Sequence, residues 1–112
     1  MGVIEVVGDF GQAWADHDLE AALALITDDC VFEATGPAPD GVRHVGPDEI
    51  RRAWKPIFDD ESATFEAEDT FALDDRVVQR WRYTWGSGHV RGVDLFRVRN
   101  GKVAEKLSYV KG

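Results

Sequence analysis

Cysteine is almost absent from this chain of 112 residues: Cys30 alone is present, so no internal disulfide can form. It lies between Asp29 and Val31 at the start of an apparent strand, with no basic neighbour to activate it, and reads as a buried, inert thiol. The three histidines, His17, His44 and His89, are scattered, and their spacing suits no zinc site; no metal and no cofactor are expected. No glycine-rich phosphate loop occurs, and the glycines mostly mark turns and loops. No apolar run approaches the ~18 residues of a transmembrane helix, and the amino terminus lacks a basic region or signal-like core. No membrane partner is therefore expected, and the chain reads as cytoplasmic. Internal repeats, linkers and low-complexity segments are missing too.

Positive charge is also scarce. The net charge is −8, which argues against a nucleic-acid partner, because phosphate binding needs a basic surface. The imbalance is local. Residues 1–75 sum to −15, whereas residues 76–112 sum to +7. Two readings follow: basic late strands pair with acidic earlier elements, or a basic late sheet attracts anionic ligands.

What the chain does have is apolar and aromatic mass. With 44% hydrophobic and 30% charged residues it should fold as one compact domain spanning residues 1–112. Four tryptophans and six phenylalanines supply either a heavy core or the lining of an apolar pocket. Val3, Val6, Val7, Phe10 and Trp14 recur at helical spacing. Asp18 reads as the N-cap of a second helix carrying Leu19, Ala22, Leu23 and Ile26, and His17 beside it as solvated. A short strand is expected over 30–35, then a loop over 36–46. Pro47 suits the first turn of a third helix with Ile50, Ala53, Trp54, Ile57 and Phe58 on its apolar face, which Pro56 should kink or shorten.

The second half reads as strands over 64–73, 77–85, 89–99 and 102–111, broken at Asp74-Asp75, Gly86-Ser87-Gly88 and Asn100-Gly101. Asn-Gly is the strongest of these hairpin signals. The fold class is α+β: three helices from the first half packed on an antiparallel sheet.

Asp94 is the most informative residue. It falls in phase with Val90, Phe96 and Val98, and a carboxylate on an apolar strand face is costly without a partner or a task. A two-residue Asn100-Gly101 turn would set Leu107 opposite Asp94 and Tyr109 on the same face. A three-residue Gly86-Ser87-Gly88 loop would set Arg80 opposite Asp94; a two-residue loop would remove Arg80 from that face. Asp94 is then a structural ion pair with Arg80, a general acid or base, or a polar anchor in a pocket. Trp81, Tyr83 and Trp85 would share the outer face, and so broad an aromatic surface predicts a homodimer. Glu33 should point outward if Phe32 points in. Trp14, Trp54 and Phe58 read equally as core or pocket wall.

Several segments resemble one family: Trp14, Asp16-His17-Asp18-Leu19, Asp28 to Glu33, Gly46 to Ile50, and Arg91 to Val103. Together they are similar to the SnoaL-like polyketide cyclase branch of the nuclear transport factor 2-like superfamily. The resemblance covers essentially the whole chain. It implies a cone-shaped half-barrel with an apolar pocket at its open end, and homodimers formed through the outer sheet face. It implies that Asp94 is the pocket acid of a cofactor-free cyclase or isomerase; by the hairpin register, Arg80 would orient it or stabilise an oxyanion. Trp14, Phe32, His44, Trp54, Phe58, Phe96, Leu107 and Tyr109 would shape the pocket for an apolar, ring-bearing or polyketide-like ligand. Ala34 fills the position where ketosteroid isomerase carries its base, Phe10 lies near its oxyanion tyrosine, and Lys111 stands where epoxide hydrolases of this fold place a second carboxylate. A non-catalytic binding module and a dimeric interaction domain with a plugged pocket are the alternatives.

Overall fold

The computed structural model describes residues 2–112. The chain runs α1 (Val3–Ala15), α2 (Leu19–Ala24), β1 (Ile26–Glu33), β2 (Arg43–Val45), α3 (Pro47–Asp59), β3 (Thr64–Leu73), β4 (Arg76–Trp85), β5 (Gly88–Arg99) and β6 (Lys102–Val110). The six strands form one curved, unclosed sheet in the order β2-β1-β6-β5-β4-β3. The expected α+β class is observed.

The helices form where their apolar periodicity is clearest. Val6, Val7 and Phe10 of α1 are buried, as are Ile50, Trp54 and Phe58 of α3. Asp18 caps α2, its Oδ1 accepting from the Ala21 amide at 3.0 Å. α2 is shorter than its periodicity suggests, and Ile26 opens β1 instead, buried against the core. α3 continues through Pro56, which lies exposed in the last turns, where water can satisfy the carbonyl that loses its donor. His17 is not solvated. Its Nε2 faces the Ala63 carbonyl at 2.8 Å and its Nδ1 the Phe58 carbonyl at 3.2 Å, tying the end of α1 to the end of α3.

Two features of the sheet depart from the expected antiparallel arrangement. β1 runs parallel to β6, and the presumed loop over 36–46 contains β2, which pairs antiparallel with β1 so that His44 lies beside Phe32. Asn100 and Gly101 both have positive φ, as their hairpin turn requires, and Arg99 pairs with Lys102.

Charge segregation is resolved mainly by pairing between elements. Arg91 contacts Glu68 of β3 at 2.6 Å, Arg99 meets Asp29 of β1, and Arg97 reaches Asp75 at 3.7 Å. These pairs are exposed or half-exposed, so each contributes little to stability. Cys30 is fully buried, and burial pushes its thiol up to about 12 from an ordinary 9.0. A thiol disulfide reagent at pH 8 should therefore leave the folded protein unmodified and label it only on unfolding. Because the unfolded state ionises first, this group's stabilising contribution is complete below pH 9 and is lost as pH rises toward 12.

Candidate functional site

The sheet register decides which side chains face the helices. β4 and β5 are joined by a two-residue Gly86-Ser87 turn, with Trp85 paired to Gly88. That sets Gln79, not Arg80, opposite Asp94. Arg80 pairs with Val93 on the outer face. A one-residue difference in loop length inverts the whole strand. Trp81 and Tyr83 consequently point inward and line a cavity, and of the expected outer trio only Trp85 is exposed. The outer face of β4 therefore lacks the aromatic trio expected to form a homodimer.

β6 differs for another reason. The pairing starts in the expected register at Arg99 and Lys102, but Ala104 is an extra residue, so Arg97 pairs with Glu105. This bulge moves Ser108 opposite Asp94 and Lys106 opposite Phe96. Leu107 pairs with Leu95 on the outer face, and Tyr109 is 52% exposed there. Neither Leu107 nor Tyr109 faces Asp94. Arg80 and Tyr109 instead line a separate outer groove with Glu68, Arg91 and Lys111.

The inward face forms a cavity of about 390 Å³. Of the predicted site residues, Trp14, Phe32, His44, Phe96 and Asp94 line it. Trp54 and Phe58 do not; they are core residues standing behind the lining. Trp54 meets Trp14 and Phe32 edge-on at ring distances of 5.2 and 5.5 Å, and Phe58 lies 4.5 Å from Trp14. Phe32 stacks on His44 at 5.7 Å. Phe10 and Ala34 are in the wall, whereas Lys111 is exposed and lies outside it. Glu33 points away and contacts Arg43 at 3.1 Å. Gly92 faces Trp81 across the β4–β5 ladder. A Cβ there would lie 2.4 Å from both the Trp81 ring and the Tyr109 carbonyl, so only glycine lets the indole lie across β5.

The polar centre is an ion pair not expected from the sequence. Lys106 Nζ lies 3.2 Å from Asp94 Oδ2, and their side chains are 8% and 3% exposed. The ammonium donates to Ser108 Oγ at 2.8 Å. It also sits 4.9 Å from the ring centroids of both Trp14 and Phe32, within cation–π range. Asp94 Oδ1 is buried and has no hydrogen-bond partner among the described residues; the same holds for the indole N–H groups of Trp14 and Trp81. Gln79 is held by Thr70, its Nε2 donating at 3.2 Å. Burial, and then Asp60, push the Tyr83 phenol up, so it presents a neutral O–H at the cavity wall. Among the described residues no cluster of His, Cys, Asp and Glu could hold a metal, and no helix is long and apolar enough to cross a membrane.

Residues 7–106 match the model of the SnoaL-like domain. The chain belongs to the SnoaL-like family, within the nuclear transport factor 2-like proteins. An NTF2-like protein of unknown function from Mesorhizobium loti is 40% identical, with a TM-score of 0.89 over 98% of this chain and 91% of its own. A candidate polyketide cyclase from Sinorhizobium meliloti shares the fold at 20% identity, with a TM-score of 0.78 over 96% of this chain and 94% of its own. A computationally designed 17-OHP binder does so at 24% identity, with a TM-score of 0.81 over 97% and 90% of the two chains. Among curated proteins none matches. The SnoaL-like fold thus accounts for the helices, the curved sheet and their order, while the ion pair in the cavity is read from this chain's own residues.

Proposed function

We propose that this SnoaL-like protein binds an apolar, ring-bearing or polyketide-like molecule in the mouth of a cone-shaped half-barrel. There it moves a proton on that molecule without a cofactor, as in aldol cyclisation or isomerisation. The observation that carries this reading is Asp94 in the cavity wall: one oxygen is held by Lys106 at 3.2 Å, and the other is buried with no hydrogen-bond partner among the described residues. A carboxylate so fixed has a defined direction for accepting a proton. Lys106 takes the place expected of Arg80, holding the acid and offering positive charge to an oxygen that becomes an enolate. Phe10, Phe32, Phe65 and Phe96 supply apolar walls, with Trp14 and Trp81 beside them. The designed 17-OHP binder supports a cavity of this fold taking a polycyclic ligand. Non-catalytic binding would use the same contacts. Any homodimer would use the outer sheet face, where Tyr109 is exposed.

Titration with a polycyclic ring ketone should quench tryptophan fluorescence through Trp14 and Trp81. Asp94→Asn keeps an acceptor for Lys106 and should retain binding, while turnover of a ring-ketone substrate falls by about 10²–10⁴-fold. Full turnover in that variant would remove Asp94 from the chemistry. Binding without turnover in the wild type would favour the binding-module reading.

A further inference from the structure

Lys106 is more than a counter-ion in this geometry. A lysine amine becomes a carbonyl nucleophile when it is desolvated, has a nearby group to take its proton, and has space for the carbonyl at its tip. All three conditions meet here. The side chain is 8% exposed, Asp94 Oδ2 lies 3.2 Å from Nζ, and both residues line the 390 Å³ cavity. The Trp14 and Phe32 rings flank Nζ at 4.9 Å and would receive a flat aromatic or conjugated group on either side of it. The chain's other lysines, Lys55, Lys102 and Lys111, are all exposed.

We infer that Lys106 captures aldehydes or ketones of aromatic or conjugated ligands as a Schiff base. The step rests on the cavity reading above but not on proton transfer to carbon. The ammonium passes a proton to Asp94, and the neutral amine attacks the carbonyl carbon. The C–N bond forms as the carbonyl π pair moves to oxygen, which takes that proton back from Asp94. Asp94 then accepts a second proton from nitrogen and delivers it to the hydroxyl. Water leaves, the nitrogen lone pair closes the C=N bond, and a protonated imine remains paired with the Asp94 carboxylate. No oxidant, reductant or metal is consumed.

The test uses 2-naphthaldehyde with cyanoborohydride, which reduces the imine to a stable amine, followed by intact-mass analysis and peptide mapping. Limiting aldehyde should add one naphthylmethyl group, at Lys106, before any other amine reacts. Lys106→Arg keeps the charge beside Asp94 and should lose this fast labelling while remaining folded. Labelling spread over Lys55, Lys102 and Lys111, with Lys106 no faster, would overturn the inference. Fluorescence titration with 2-naphthol, which has no carbonyl, separates the two proposals. Naphthol binding without Lys106 labelling rejects the Schiff base alone; absence of both rejects the cavity reading as well.

Discussion

Replacing Lys106 with methionine is expected to cost about 3–5 kcal/mol of folding stability, measured by urea unfolding at neutral pH. Among the described residues Lys106 is the one ion-pair partner of Asp94, whose side chain is 3% exposed and whose Oδ1 accepts no hydrogen bond. Methionine fills much of the same volume between Trp14 and Phe32 but leaves the carboxylate with no partner on either oxygen. The penalty therefore comes from Asp94 rather than from lost packing. The double variant Lys106→Met/Asp94→Leu should recover most of the loss, because a buried pair replaced by packed apolar groups is often neutral or stabilising. Non-additivity between the two sites is the decisive quantity. A loss below about 1 kcal/mol in the single variant, the range of exposed pairs, would show that Asp94 and Lys106 do not form a desolvated ion pair.

Such recoverable stability bears on function. If removing both charges leaves the fold equally stable, folding alone does not account for a buried ion pair at the wall of an open cavity. Its lysine also differs from the arginine expected from the sequence. A guanidinium would hold the carboxylate through a rigid fork and stay charged, whereas an ammonium can give up its proton and act as a nucleophile. The substitution of partner thus widens the chemistry open to the site.

Much of the fold was legible because local signals and global packing agree. The faces of α1 and α3, the Asp18 cap and the Asn100-Gly101 turn each follow from short-range physics. The inward placement of Asp94 followed from alternation alone. What failed were relations between strands. The Gly86-Ser87-Gly88 segment admits two loop lengths, and the shorter one puts Arg80 outside. Side-chain polarity favoured that choice: Val77, Trp81 and Tyr83 alternate with Arg80 and Arg82, and desolvating two arginines costs more than burying two aromatics. The bulge at Ala104 also left a trace, since Val103 and Ala104 are consecutive small apolar residues that break the alternation, and both are buried. That trace was the signal that could have found Lys106. The parallel pairing of β1 with β6 left no comparable mark, because it joins segments far apart in the chain.

Trp54→Ala should be as damaging as loss of the lysine, at about 3–5 kcal/mol. Trp54 is fully buried and touches no part of the cavity, yet it meets Phe10, Trp14 and Phe32 at ring distances of 5.2–5.6 Å. Those edge contacts fix the two rings that flank Lys106 Nζ. Truncation opens a void behind them, so ring-ligand affinity should fall along with stability even though no lining atom is removed. Trp54→Phe provides the control. The Trp54 indole N–H is buried without a partner among the described residues, so phenylalanine removes an unmet donor while keeping most of the aromatic surface. It should therefore cost less than about 1.5 kcal/mol and leave ligand affinity close to that of the wild type. Denaturant unfolding and fluorescence titration of both variants check this. Unchanged affinity in a folded Trp54→Ala protein would mean that Trp14 and Phe32 hold their positions without support from α3, and that the cavity wall is ordered by the sheet and α1 alone.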